Sequence, residues 1–240
     1  MGAYLFSVTG HLVIALNALL LGGCFTILIE VLNLEPTSIP VAEIFYDSFF
    51  FWILLFIGIP IITMRAFALE STRGTLDALL ATPASEGAIV IGKWAACVSF
   101  FILTWVPWIG CIAVIYLLPD APPPFHLMQW VTTSLGIVLT GSFLISLGCL
   151  FSALSPNQVV CSMATLGVSL ILFSVSFLDR WTNPNESVWA GLLAQTGMVN
   201  HMSDFVRGII DTRPIIFYIS ATCFILYLTT NVLQRRRWAS

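Results

Sequence analysis

Residues 121–178 read APPPFHLMQWVTTSLGIVLTGSFLISLGCLFSALSPNQVVCSMATLGVSLILFSVSFL, without one Asp, Glu, Lys or Arg. A charge at the centre of a bilayer costs roughly 2.5–3.5 kcal/mol on insertion scales, and a spanning helix needs about 20 apolar residues. The interval is long enough for two spans and a turn, and Ser155-Pro156-Asn157-Gln158 supplies turn-forming residues in its middle. Four further charge-free intervals, 1–29, 48–64, 94–119 and 214–234, complete the pattern. The whole predicts an all-α polytopic bundle of six transmembrane helices, at roughly 10–31, 46–68, 91–117, 128–153, 158–178 and 214–234. Pro60 and Pro107 fall inside the second and third and should kink them. Barrel strands would alternate apolar and polar residues, whereas these runs are continuous.

Composition agrees. Hydrophobic residues make up 58% and charged residues 9% of the 240, against about 45–50% and 25% in soluble domains. That excludes a disordered chain, a disulfide scaffold and most soluble enzymes. The net charge of −3 carries no basic stripe for nucleic acid. Cys24, Cys97, Cys111, Cys149, Cys161 and Cys223 are scattered through apolar stretches, so they lack metal-site spacing.

The basic residues set the expected orientation. Arg65, Arg73, Lys93, Arg235, Arg236 and Arg237 share one side with Glu70, Asp77 and Glu86. Arg180, Arg207 and Arg213 share the other with Glu30, Glu35, Glu43, Asp47, Asp120, Asp179, Glu186, Asp204 and Asp211. Both termini are therefore expected in the cytoplasm. No Lys or Arg precedes the first apolar run, so the basic region of a cleavable signal is missing, and Phe6 stands where myristoylation needs Ser or Thr.

Marks of chemistry are few. Gly87-Ala88-Ile89-Val90-Ile91-Gly92-Lys93-Trp94 nearly matches a phosphate-binding loop, but Trp94 stands where a hydroxyl should hold magnesium. Lys93 reads better as a cytoplasmic interface anchor, with Trp94 in the aromatic belt beside it. No acid lies mid-span, and His11, His126 and His201 each stand alone near an interface. Neither an intramembrane hydrolase nor a proton relay has its residues, so energy for any transport comes from elsewhere.

Two segments exceed what spanning requires. Glu70, Arg73 and Asp77 are spaced three and four apart, on one face of a helix from Glu70 to Pro83, with Leu69, Leu76, Leu79 and Leu80 on another. Such a helix either rests in the lipid interface or docks a partner. After the fifth span, Met198, Met202, Phe205, Val206, Ile209 and Ile210 form an apolar stripe, with His201, Asp204, Arg207 and Asp211 opposite. That reads as an external interfacial helix leading through Pro214 into the sixth span.

Glu70-Ser71-Thr72-Arg73-Gly74-Thr75-Leu76-Asp77-Ala78-Leu79-Leu80-Ala81-Thr82-Pro83-Ala84-Ser85, followed by Ile89-Val90-Ile91-Gly92-Lys93, resembles the signature of ABC-2-type permeases. Ser155–Val160 resembles that family's turn between spans four and five. His201–Asp211 and Arg236-Arg237-Trp238 are similar, more narrowly, to the bacterial gliding-motility-type permeases. The resemblance covers nearly the whole chain. The family's basic amphipathic helix before span one has no counterpart in Met1–Gly10.

The resemblance implies a single ABC-2-type transmembrane domain over 1–240, in the bacterial plasma (inner) membrane. This chain would be the non-enzymatic permease subunit of an ATP-binding cassette transporter, exporting a substrate. ATP and magnesium would bind a separate cytoplasmic ABC ATPase. Glu70, Arg73, Gly74, Thr75, Leu76, Asp77, Leu79, Leu80 and Pro83 would form the coupling helix against that ATPase. A second permease, identical or paralogous, would complete the unit within the lipid. A membrane scaffold that recruits an ATPase to a surface or motility machine, without moving a solute, would use the same helix.

Overall fold

The computed structural model describes residues 8–34, 41–117, 127–178 and 197–239. Among them the chain is all-α, with no strand. Its helices are α1 (Val8–Leu34), α2 (Val41–Asp47), α3 (Phe49–Thr63), α4 (Ala68–Arg73), α5 (Leu76–Leu80), α6 (Glu86–Thr104), α7 (Val106–Leu117), α8 (Leu127–Leu154), α9 (Gln158–Leu178), α10 (Met198–Val206) and α11 (Thr212–Ala239). Among the described residues, six stretches are long and apolar enough to cross a membrane: Gly10–Glu30, Phe50–Arg73, Glu86–Cys111, Met128–Leu154, Gln158–Ser176 and Thr212–Arg237. They coincide in order with the six expected spans.

The expected effect of Pro107 appears as an interruption. Pro107 has no N–H to donate four residues back, and its ring crowds the preceding turn. The third span accordingly divides at Trp105 into α6 and α7, with Trp108 N–H donating to the Trp105 carbonyl (3.0 Å). The Thr104 carbonyl thereby loses its regular helical donor, and Asn17 of α1 replaces it, Nδ2 donating at 2.6 Å. An unpaired carbonyl at membrane depth would cost several kcal/mol, which accounts for an amide in the middle of an apolar helix. The second span is divided at Ser48, whereas Pro60 lies inside the uninterrupted α3.

Two compact units divide the chain. One comprises Met1–Leu55, Ile102–Val138 and Val175–Asp211. Its core is aromatic. Phe45 stacks on Trp108 (3.7 Å between centroids) and meets Phe51 edge-on at 5.6 Å, while Trp108 contacts Trp130 at 5.2 Å. Helix α10 belongs to this core. Met198, Met202, Phe205 and Val206 are buried in protein, and so is His201, which periodicity had placed on the polar face. Hydrogen bonds hold α10 along its length: Met198 N–H to Ser176 Oγ (2.8 Å), Tyr46 O–H to the Val199 carbonyl (2.6 Å), and Thr132 O–H to the Phe205 carbonyl (2.6 Å). A Cβ on Gly136 would lie 2.9 Å from the Phe205 ring, so glycine is what admits α10 against α8. The helix stops at Val206, and Gly208 turns the chain at φ +83°. Asp211 and the exposed Ile209 and Ile210 therefore lie beyond it, and Arg207 reaches Glu43 of α2 (3.0 Å).

The other unit comprises Phe56–Phe101, Leu139–Ser174 and Thr212–Ser240. Here α8 is the centre. Its glycines Gly141 and Gly148 face Phe101 of α6 and Thr63 of α3, so closely that a Cβ would lie 2.3 and 2.1 Å away. Phe143 packs beside Phe217 and Tyr218 of α11. Trp94, expected in an interfacial belt, donates its indole N–H to the Ser142 carbonyl (3.2 Å).

Candidate functional site

The segment between α3 and α6 is the least explained by spanning, and its local structure follows from a few residues. Helix α4 cannot continue beyond Arg73, because Gly74 adopts φ +67°, a left-handed conformation costly for residues with a Cβ. Gly74 N–H donates to the Ser71 carbonyl (3.3 Å) and Thr75 N–H to the Glu70 carbonyl (3.0 Å), the paired closure of a Schellman motif. After α5, Thr82 N–H closes on Leu79 (3.2 Å). Ser85 then caps α6, accepting from Ala88 N–H (3.3 Å).

The expected single helix from Glu70 to Pro83 is therefore two short helices hinged at Gly74. Glu70 and Arg73 belong to α4 and Asp77 to α5, beyond the turn at Gly74, so no one continuous helix carries all three. Leu76 is buried within the chain, at 5% exposure, and Leu79 is half-buried. Arg73, Gly74, Thr75, Ala78 and residues 81–85, Pro83 among them, are exposed. The side chains of Asp77 and Leu80 lie outside the described residues.

An exposed tip thus stands on a fastened root. Lys93 Nζ of α6 pairs with Glu70 Oε2 (2.5 Å), donates to the Ala66 carbonyl (2.5 Å), and sits 4.8 Å over the Phe67 ring. Ser152 Oγ of α8 accepts from both Phe67 and Ala68 N–H at 3.0 Å, two of the donors that a helix start leaves unpaired. Thr72 Oγ donates to the Pro156 carbonyl (2.7 Å), joining α4 to the turn between α8 and α9. Lys93, Ser152 and Thr72 were not among the expected site residues. Twenty-three residues separate Glu70 from Lys93, beyond the reach of any helical periodicity.

The near-match to a phosphate loop, Gly87–Trp94, lies wholly within helix α6. Beyond the first turn its backbone N–H groups therefore serve the helix, and Lys93 serves Glu70. Among the described residues no three His, Cys, Asp or Glu side chains group as metal ligands.

The sequence matches the family described as "ABC-2 family transporter protein" over residues 10–236. The chain belongs to that family. Two curated relatives of this permease, each described as "Probable multidrug ABC transporter permease YbhR", come from Escherichia coli strain K12 and Escherichia coli O157:H7. Each is 32% identical over 157 residues, 64% of this chain and 40% of the relative. The permease thus matches less than half the length of those relatives. No solved structure matches it. Membership makes the chain a multi-pass membrane permease, and the matched region contains both the root and the exposed tip.

Proposed function

We propose that this chain is the membrane subunit of an ABC transporter whose ATP and magnesium sit in a separate cytoplasmic ATPase, and that the tip from Arg73 to Ser85 docks on that ATPase. The observation that carries this is an exposed, polar-edged tip on a root held by side chains from α6 and α8. A surface meant only to lie on lipid needs no such fixing. A second permease subunit completes the working unit, and closure of the ATPase pair rocks the two permeases. Export is the direction we favour. The relatives' description makes drug-like compounds the first substrates to try, while His201–Asp211 and Arg236–Trp238 support a place near the gliding-motility-type permeases.

The burial of Leu76 changes which substitutions test docking, because Leu76→Ala would disturb the segment's own packing. Arg73→Glu and Ala78→Asp alter exposed positions instead. Co-purification with a co-expressed ABC ATPase, at matched permease levels, should fall about tenfold for either, equivalent to about 1.4 kcal/mol. Undiminished recovery in both would leave the tip a lipid-resting element.

The proposed placement of both termini in the cytoplasm rests on the basic residues. A reporter active only in the cytoplasm should work when fused after Ser240 and stay silent when fused after Asp120. The reverse pattern would invert the permease and place the tip outside the cell.

A further inference from the structure

Two limbs join the tip to the membrane helices, and consecutive residues of α11 hold one limb each. On the departing limb, Arg236 Nη1 donates to Ser71 Oγ (3.4 Å) while its Nη2 donates to the Leu154 carbonyl (3.0 Å). On the returning limb, Arg237 Nη1 pairs with Glu86 Oε1 at the start of α6. Leu154 ends α8, so its carbonyl has no donor within that helix and Arg236 caps it. Neighbouring side chains on a helix diverge by about 100°, which lets two adjacent guanidiniums reach separate limbs. A basic helix end serving only as a headgroup anchor would extend into the interface. These two side chains instead engage a carboxylate, a hydroxyl and a backbone carbonyl of their own chain. Glu86 keeps only 16% of its side chain exposed in doing so.

We infer that Arg236 and Arg237 are positioning residues, a clamp that holds both limbs of the docking tip to the sixth span. Because α11 is one uninterrupted helix from Thr212 to Ala239, a displacement of the tip passes directly into that span. The consequence for transport rests on the docking reading above, whereas the clamp is a property of this chain.

Amide hydrogen exchange over residues 74–85 of the detergent-solubilised full chain tests it. Arg237→Glu should speed exchange there about fivefold, the scale of a partly exposed ion pair. The reversed pair Glu86→Arg/Arg237→Glu should return exchange to within about twofold of wild type. Arg235→Glu makes the same charge change at an exposed position outside the clamp and should leave exchange unaltered. Equal effects of Arg235→Glu and Arg237→Glu, or a reversed pair no better than the single variant, would overturn the clamp. In parallel, the co-expressed ABC ATPase should be recovered less with Arg237→Glu and normally with the reversed pair. If wild type recovered no ATPase, the docking reading would fall, and the exchange measurement would still decide the clamp.

Discussion

Gly148→Ala is expected to destabilise the permease by about 1–3 kcal/mol, the usual cost of overpacking a close contact, and Gly148→Val by more. The new Cβ would lie 2.1 Å from Thr63 Oγ1, 2.5 Å from its Cβ and 2.8 Å from its Cγ2. Thr63 cannot swing aside, because it is fully buried and its hydroxyl donates to the Ile59 carbonyl (3.0 Å). The helices must separate instead. Gly148 lies one turn from Ser152, which holds the Phe67 and Ala68 N–H groups at the root of the tip, so the same displacement loosens the root. Thr63→Ala removes two of the three clashing atoms, and Thr63→Gly removes all of them. Combined with Gly148→Ala, these should recover part and most of the lost stability respectively. Thermal unfolding of the detergent-solubilised chains measures the series. A Gly148→Ala variant as stable as wild type would show that α3 and α8 do not approach as described.

Lys93→Met should cost about 1–2 kcal/mol, less than a fully buried pair because both partners keep some contact with solvent. The side chains of Lys93 and Glu70 are 20% and 32% exposed. Removing the ammonium takes the ion-pair partner from the half-buried Glu70 carboxylate and withdraws the donor from the Ala66 carbonyl. Glu70→Gln alone should be damaging for the complementary reason. The double variant Glu70→Gln/Lys93→Met leaves no lone charge and should be more stable than the sum of the singles implies. A double-mutant cycle on the unfolding midpoints reads the coupling. Strict additivity would mean that the pair does not fasten the root.

How far residues reveal their own partners depends on whether the partner is local. The six spans were legible because the cost of a charge in hydrocarbon acts on each residue separately, wherever the chain goes. The interruption at Pro107 was legible for a similar reason, since a missing N–H damages its own helix. The tip was legible as a segment, through its family signature, but not as a shape. Spacing of three and four residues puts Glu70, Arg73 and Asp77 on one face of an unbroken helix, and the left-handed turn at Gly74 breaks that helix. For α10, the apolar stripe was visible while its destination was not. Apolar side chains satisfy lipid and protein alike, so periodicity alone cannot say which one covers them.

By itself, then, the sequence determined an α-helical, six-span membrane chain, because solvation cost and helical propensity act residue by residue, and its motifs carried the resemblance to the ABC-2 family. Tertiary structure alone decided that Asn17 caps Thr104, that Lys93 belongs to Glu70, that Arg236 and Arg237 reach Ser71 and Glu86, and that His201 is buried. Each of these joins groups far apart along the chain. Such pairings depend on which helices are neighbours, and that is set by close fits such as Gly148 against Thr63, which no short-range pattern encodes.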